Sequence, residues 1–178
     1  AKRSRFLHTH VGNIIMIFSF DLLINAVVSG ILIGGFYAAM ASGVSLSFGI
    51  LDIVNIAHPA FIILGSYAAY TFNHAFGFDP ILVSIVMLPA FYILGAGIYQ
   101  IYYVAFEKRG QESLRGLAFF FGLLFITEVA LVLYFGVDYR DVEAWYIGPT
   151  WHLGDVDVPL RIAVPCMVSL LLIAALQL

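Results

Sequence analysis

The stretch of chain between Arg5 and Lys108 contains no lysine or arginine, and most of its residues are apolar. Soluble domains do not contain apolar stretches of this length, whereas a helix crosses a bilayer with about 20 apolar residues. Hydrophobic residues make up 62% of the 178-residue chain and charged residues 11%, compared with about 45–50% and about 25% in soluble domains. These properties predict a helical integral membrane protein and argue against a soluble enzyme, a nucleic-acid-binding protein or a disordered chain.

The pattern of apolar runs and turn-forming residues predicts an all-α fold, a polytopic transmembrane helix bundle with about five spans. Residues 137–158, between the last two spans, are polar and include aromatic residues typical of a membrane interface. We expect the spans at residues 22–50, 57–76, 81–106 and 117–136, with a fifth opened by Pro159.

The N-terminal segment, residues 1–21, is expected to be separate from the transmembrane domain, residues 22–178. It has three basic residues within its first five positions, followed by a short apolar run over residues 11–20. A signal peptide shares this pattern, but no small-residue cleavage site follows, so an interfacial helix is favoured. A complete span over residues 11–30 is the alternative.

The distribution of lysine and arginine predicts the orientation, because cytoplasmic loops carry an excess of both. The loop 107–115 contains Lys108, Arg109 and Arg115 and is expected in the cytoplasm. The acidic and aromatic loop 137–158 is then expected outside. Counting the spans back places the N-terminus outside, which conflicts with its basic residues, so the N-terminal topology stays open.

Small residues recur every four positions along the first expected span, which places them on one face of a helix. Such stripes let a neighbouring helix approach closely, so we interpret these residues as helix-packing positions. The alternative is that Gly is simply frequent in membrane helices. One stripe consists of Gly30, Gly34 and Ala38, and the adjacent stripe of Gly35, Ala39 and Gly43.

The segment Asn55-Ile56-Ala57-His58-Pro59 is a polar interruption between apolar runs. Proline removes a backbone donor, so a helix must break or begin near Pro59, and Asn55 is placed to cap the new helix. Several transporters bind substrate at such breaks. Asn55, His58 and Pro59 are therefore candidates for a translocation pathway, and a plain turn between the first two spans is the alternative.

Glu128 is the other polar feature, because no second charged residue lies in the apolar run around it. An ionised carboxylate in hydrocarbon costs about 2.5–3.5 kcal/mol on insertion scales. Glu128 is therefore expected to face the bundle interior, to be protonated or to have a partner. A gating or proton-linked role and a buried glutamate bonded to a neighbouring helix are both consistent with this position.

No motif for covalent chemistry or cofactor binding occurs in the chain. It lacks a phosphate-binding G-x-x-x-x-G-K-[ST] loop and an H-E-x-x-H motif, and its five histidines are scattered. The single cysteine, Cys166, excludes an intrachain disulfide and is expected to be an inert packing residue. We expect no enzyme activity, metal or cofactor in this chain, and the net charge of −3 indicates no nucleic-acid partner.

Three segments of the sequence resemble a known family. They are G-F-Y-A-A-M-A-S-G-V-S-L-S-F-G-I at residues 35–50, N-I-A-H-P at 55–59 and L-G-S-Y at 64–67. The permease subunits of branched-chain amino-acid ABC importers, a type that also serves urea and short amides, read Y-A-L-x-A-L-G-L-x-L-x-F-G, N-F-A-H-G-E and L-G-A/S-Y. The resemblance covers residues 22–136.

The chain also departs from the family pattern. Pro59 and Ala60 replace the Gly and Glu that follow the family's histidine, and Glu128 stands where the family often has Gln. The family's permeases are longer and carry a cytoplasmic helix that docks on the ATPase after the fifth span. We therefore expect this sequence to correspond to their N-terminal part.

The resemblance implies a membrane-embedded permease in the cytoplasmic (inner) membrane of a prokaryote. Its partners would be a second permease subunit, two cytoplasmic ATPase subunits that bind ATP, an extracytoplasmic substrate-binding protein and the lipid bilayer. Two other functions remain open. One is a proton- or ion-coupled carrier that uses Glu128, and the other is a membrane scaffold that transports nothing.

The packing stripe leads to a mutational prediction. Gly34→Leu combined with Ala38→Leu adds bulk where a partner helix is expected to approach, so recovery of the assembled complex through an N-terminal tag should fall several-fold. The control is Ile31→Leu, which conserves the volume of the side chain. Unchanged assembly of the double variant would contradict the packing interpretation.

Overall fold

The computed structural model of the protein describes residues 20–51, 54–109, 112–154 and 156–177. These residues form five α-helices, one short 3-10 helix and a two-stranded antiparallel sheet, which confirms the predicted all-α class and adds a small β element. The predicted N-terminal segment, residues 1–21, which the sequence favours as an interfacial helix, lies outside the described part except for Phe20 and Asp21, which belong to α1. In chain order the elements are α1, Phe20–Leu51; α2, His58–Phe76; α3, Pro80–Ala105; the 3-10 helix, Glu107–Arg109; α4, Glu112–Phe135; β1, Thr150–Leu153; β2, Val156–Pro159; and α5, Leu160–Leu176.

Three of the described helices are long and apolar enough to cross a membrane, judged by length and composition. They are α1, α3 and α4, whose apolar portions are Leu22–Gly49, Pro80–Ala105 and Arg115–Phe135. Helix α2 is less apolar, because it includes His58, Asn73 and His74, and α5 has only 17 residues. The expected total of about five spans therefore stays a prediction.

The junction between α2 and α3 is built from local hydrogen bonds. Gly77 ends α2 with a φ of +68°, a left-handed conformation that suits glycine, and its N–H donates to the Asn73 carbonyl. The Asp79 carboxylate then accepts the Ile81 N–H at 2.9 Å and caps α3, whose first residue is Pro80. This short turn returns the chain alongside α2.

Contacts divide the described chain into two units. The larger unit spans Met40–Trp145, and in it α2 packs against both α3 and α4. Its core consists of Ala57, Tyr102 and Phe120, surrounded by partly buried apolar side chains. Within the described structure, no residue in the most apolar part of α1 is buried, and many of its large apolar side chains are exposed. The predicted division into residues 1–21 and 22–178 stays a prediction.

The other unit combines the first part of α1, up to Ala39, with the chain from Tyr146 onward. Its sheet pairs Thr150 with Pro159 and Leu153 with Val156, and α5 starts directly after the second strand. The Asp157 N–H donates to the Asn25 Oδ1 at 2.7 Å and joins β2 to α1.

The sequence predicted only a polar stretch at residues 137–158, whereas the structure has a β-hairpin at the end of this stretch. A usable signal lies between the strands, where Gly-Asp follows Leu153 and precedes Val156. A two-residue Gly-Asp connection between short strands is typical of a tight hairpin. Gly154 has a φ of +69°, the conformation that such a turn requires.

Gly116 of α4 offers a test of the core of the larger unit. A Cβ at this position would lie 2.9 Å from the Tyr102 ring, whereas a Cβ at Gly122 of the same helix would meet nothing within 4 Å. We expect Gly116→Ala to lower the free energy of unfolding by about 1–3 kcal/mol through overpacking. The matched control, Gly122→Ala, should be neutral or raise it by up to about 1 kcal/mol.

The measurement is denaturant-induced unfolding of the purified protein in detergent. Equal stability of the two variants would contradict the packing of Tyr102 against α4.

Candidate functional site

The connection between α1 and α2 is organised by the side chain of Asn55. Its Oδ1 accepts the Ala57 N–H at 3.1 Å, and its backbone carbonyl accepts the His58 N–H at 3.3 Å. The helix N-cap is therefore Ala57, without a side-chain cap bond of its own, rather than Asn55 as the sequence predicted. Asn55 acts two residues earlier, by closing a turn that leads into the helix.

Pro59 lies in the first turn of α2, where a helix has no need of the missing proline N–H. Ala57 is 0% exposed and packs with Tyr102 and Phe120. Tyr102 belongs to the last turn of α3, and Phe120 to the first half of α4. Ala57 is thus packed where α3 ends and α4 begins, so the described part of the break lies toward the ends of these helices rather than at their middle.

His58 joins the two helices on either side of the break. Its Nε2 lies 3.1 Å from the Met40 carbonyl oxygen of α1, so this nitrogen must carry the proton that is donated. A Cβ at Gly43 would lie 2.5 Å from the His58 Cε1. Glycine at position 43 therefore makes room for the imidazole, and His58 lines none of the cavities described below.

The other predicted packing residues are placed differently. A Cβ at Gly35 would lie 2.6 Å from the Cys166 Sγ, so this glycine accommodates a buried side chain of α5. Added Cβ atoms at Gly30 and Gly34 would meet nothing within 4 Å. Ala38 is exposed and Ala39 is half-buried.

The first cavity beside the break, which we call the Asn55 cavity, has a volume of about 270 Å³. Asn55, Ser47 and Tyr99 supply its polar groups. The sequence analysis singled out only Asn55 among these residues. The remaining lining is apolar and consists of Phe61, Phe91, Leu94, Gly95, Ile98 and Phe120.

The second cavity, the Glu128 cavity, lies between α2 and α4 and has a volume of about 290 Å³. It brings together Pro59 and Glu128, which are far apart in the sequence. Glu128 is its only charged lining residue, is exposed on this chain and has no hydrogen bond to any residue that the structure describes. The remaining lining consists of Ala60, Ile63, Tyr67, Leu124, Leu131 and Val132.

A third cavity, the Arg140 cavity, lies where α2 and α3 meet the loop after α4, and has a volume of about 580 Å³. The loop is fixed there because Asn73 donates to the Glu143 carbonyl at 2.7 Å and accepts the Glu143 N–H at 2.9 Å. Tyr67 lines both this cavity and the Glu128 cavity. Its ring stacks on Phe135, with the ring centres 4.3 Å apart.

Helix α2 is thus the common wall of all three cavities. Phe61 faces the Asn55 cavity, Ile63 faces the Glu128 cavity and Tyr70 faces the Arg140 cavity. No sequence motif predicted the Arg140 cavity, although Arg140 is the one arginine among the acidic residues of loop 137–158 and is a usable signal. In the part of the chain that the structure describes, no three metal-ligating side chains come together.

Comparisons of the chain with protein-family models, with curated proteins and with solved structures found no match.

The turn at Asn55 leads to a prediction about stability. Asn55→Ala removes the acceptor of the Ala57 N–H, and burial of Ala57 keeps water from replacing it. We expect the free energy of unfolding to fall by about 1–3 kcal/mol, the cost of an unsatisfied buried donor.

Asn55→Asp is the matched variant, because it keeps the acceptor oxygen and should recover most of the loss. Unfolding of both variants in detergent provides the measurement. Equal losses for the Ala and Asp variants would show that the hydrogen bond does not hold the turn.

Proposed function

We propose that the chain is a membrane-spanning permease subunit of an ABC importer that translocates branched-chain amino acids or related small solutes such as urea and amides. The observation that carries the proposal is the row of three cavities along α2, beginning at the break that contains the N-I-A-H sequence. Each cavity is of a size that suits a small solute, and the linings are mainly apolar with a few polar groups.

Transport in this proposal is alternating access driven by partner subunits. ATP binding to two cytoplasmic ATPases would shift the permease pair between two conformations, and an extracytoplasmic binding protein would deliver the solute. The segment Glu107–Arg109 joins α3 to α4 at the end where the break lies and is proposed to face the cytoplasm of a prokaryote. The Arg140 cavity, beside the loop after α4, then opens outside.

The hydrogen bonds at the break support a mechanical role for it. The Asn55 side chain holds the turn that precedes α2, and the His58 contact joins the first turn of α2 to Met40 within α1. Irregular backbone is tolerated in membranes where protein covers it or where it lines a cavity. A movement of α1 imposed by a partner would therefore be transmitted to the helix that lines all three cavities.

A second candidate function is a proton-coupled carrier, and the position of Glu128 favours it. The carboxyl lines an otherwise apolar cavity without a hydrogen-bond partner among the described residues. Because an ionised carboxyl is costly in hydrocarbon, Glu128 would exchange protons with a solute or with water in the cavity.

Native mass spectrometry distinguishes the two functions. The complex is extracted from membranes through a tag at the N-terminus of this chain. We expect an ATPase and a second permease subunit in it. Extraction of the chain without an ATPase would overturn the ABC assignment.

Glu128→Gln gives an independent prediction about the transport mechanism. On the ABC proposal, solute uptake into proteoliposomes should change less than about threefold and keep its pH dependence, because Gln preserves the shape of the side chain. On the carrier proposal, uptake should be lost along with its response to a proton gradient. Glu143→Gln, which alters a loop carboxyl outside the Glu128 cavity, is the matched control.

A further inference from the structure

The Arg140 guanidinium is held in a defined orientation without being neutralised. Its Nη1 donates to the Tyr70 hydroxyl at 3.2 Å and its Nη2 donates to the Phe135 carbonyl at 2.8 Å. The guanidinium carbon lies 5.5 Å from the centre of the Tyr70 ring. Among the described residues no carboxylate forms an ion pair with it. Because a guanidinium has five N–H groups, donors remain for a ligand.

Asp138 lines the same cavity as Arg140 but does not pair with it. The cavity thus presents a positive and a negative group at two separate points. Tyr67, Tyr70 and Pro80 supply the aromatic and apolar walls. Opposite charges that share one cavity without neutralising each other are suited to a ligand that carries both complementary charges.

We propose that the Arg140 cavity binds a small zwitterionic α-amino acid. Arg140 would accept the carboxylate through its free N–H groups, Asp138 would bind the ammonium group, and the side chain would lie against the walls formed by Tyr67 and Pro80. An inorganic anion would be repelled by Asp138 and a simple amine by Arg140, so the pair selects a ligand of zero net charge.

The inference deepens the proposed function and rests on it for the choice of a branched-chain amino acid. Tyr67 lines both this cavity and the Glu128 cavity. The Arg140 cavity would be the outer binding point of the pathway, and the ring of Tyr67 would stand between it and the next cavity.

The test is equilibrium binding of tritiated L-leucine to the full chain, purified without other subunits and reconstituted in nanodiscs of phosphatidylcholine. The competitors are unlabelled L-leucine, L-leucinamide, which lacks the carboxylate, and 4-methylpentanoate, which lacks the ammonium group. We expect each analogue to compete at least tenfold more weakly than leucine, because each leaves one charged group of the cavity unpaired.

Substitutions of Arg140 and Asp138 then test which charged group of leucine each residue binds. Arg140→Gln and Asp138→Asn should each weaken leucine binding at least tenfold, while the controls Arg115→Gln and Asp141→Asn should leave it unchanged. Asp138→Asn should also remove the preference for leucine over 4-methylpentanoate, an effect that a loss of folding would not produce. Asp138→Asn therefore still tests the proposal if Arg140→Gln displaces the loop after α4.

Several outcomes would overturn the inference. They are absence of leucine binding to the unmodified chain, equal binding of leucine by the Asp138→Asn variant, and equal competition by leucine and 4-methylpentanoate, which would indicate an anion site only. Failure of the ABC assignment is a separate result. Charge-selective leucine binding without a co-purifying ATPase would retain this site and reject that assignment, whereas an ATPase partner with unselective binding would do the reverse.

Discussion

A backbone N–H or C=O without a hydrogen-bond partner is costly wherever water is excluded, and the structure of this chain depends on that constraint. Helices satisfy it along their length, so the critical point is the connection between α1 and α2. There, the Asn55 side chain accepts the N–H of the fully buried Ala57. Pro59 has no N–H to satisfy, and the His58 ring donates to the Met40 carbonyl. With these groups satisfied, Ala57 can pack against Tyr102 and Phe120 without water at its N–H.

Because the Ala57 N–H and the His58 ring have hydrogen-bond partners, α2 begins at a fixed position. The geometry of the three cavities depends on that helix. Its side chains line the Asn55, Glu128 and Arg140 cavities in turn. At its other end, Asn73 holds the loop after α4 through two hydrogen bonds to the backbone of Glu143. One helix is thus anchored at both ends to segments that the proposed function places on opposite sides of the membrane. A shift of either anchor would alter all three cavities together.

Arg140 and Glu128 line two of the cavities along α2, and they differ in the hydrogen bonds that hold their side chains. Arg140 is oriented by Tyr70 and by the Phe135 carbonyl, so its charge lies at a defined position beside solvent. Glu128 has no such support within the described chain, although its position in an apolar run makes an isolated charge expensive. The proposals assign them different tasks, since Arg140 would bind the carboxylate of a solute and Glu128, in the carrier candidate, would exchange protons. The exposed surface of α1 provides room for the partner that the ABC proposal requires.

The sequence by itself determined the all-α class, the presence of helices long and apolar enough to cross a membrane, the approximate bounds of the helices and the need for a break near Pro59. These properties depend on local chemistry, namely apolar run length and the missing proline N–H, which can be read from neighbouring residues. It did not determine the hairpin after Pro149, whose strands depend on pairing with each other. Only the tertiary structure decided that Pro59 and Glu128 share a cavity, that Gly43 makes room for His58, and that Arg140 donates to the Tyr70 hydroxyl. Those relations depend on how separate helices and loops pack in space, and no local pattern in the chain encodes them.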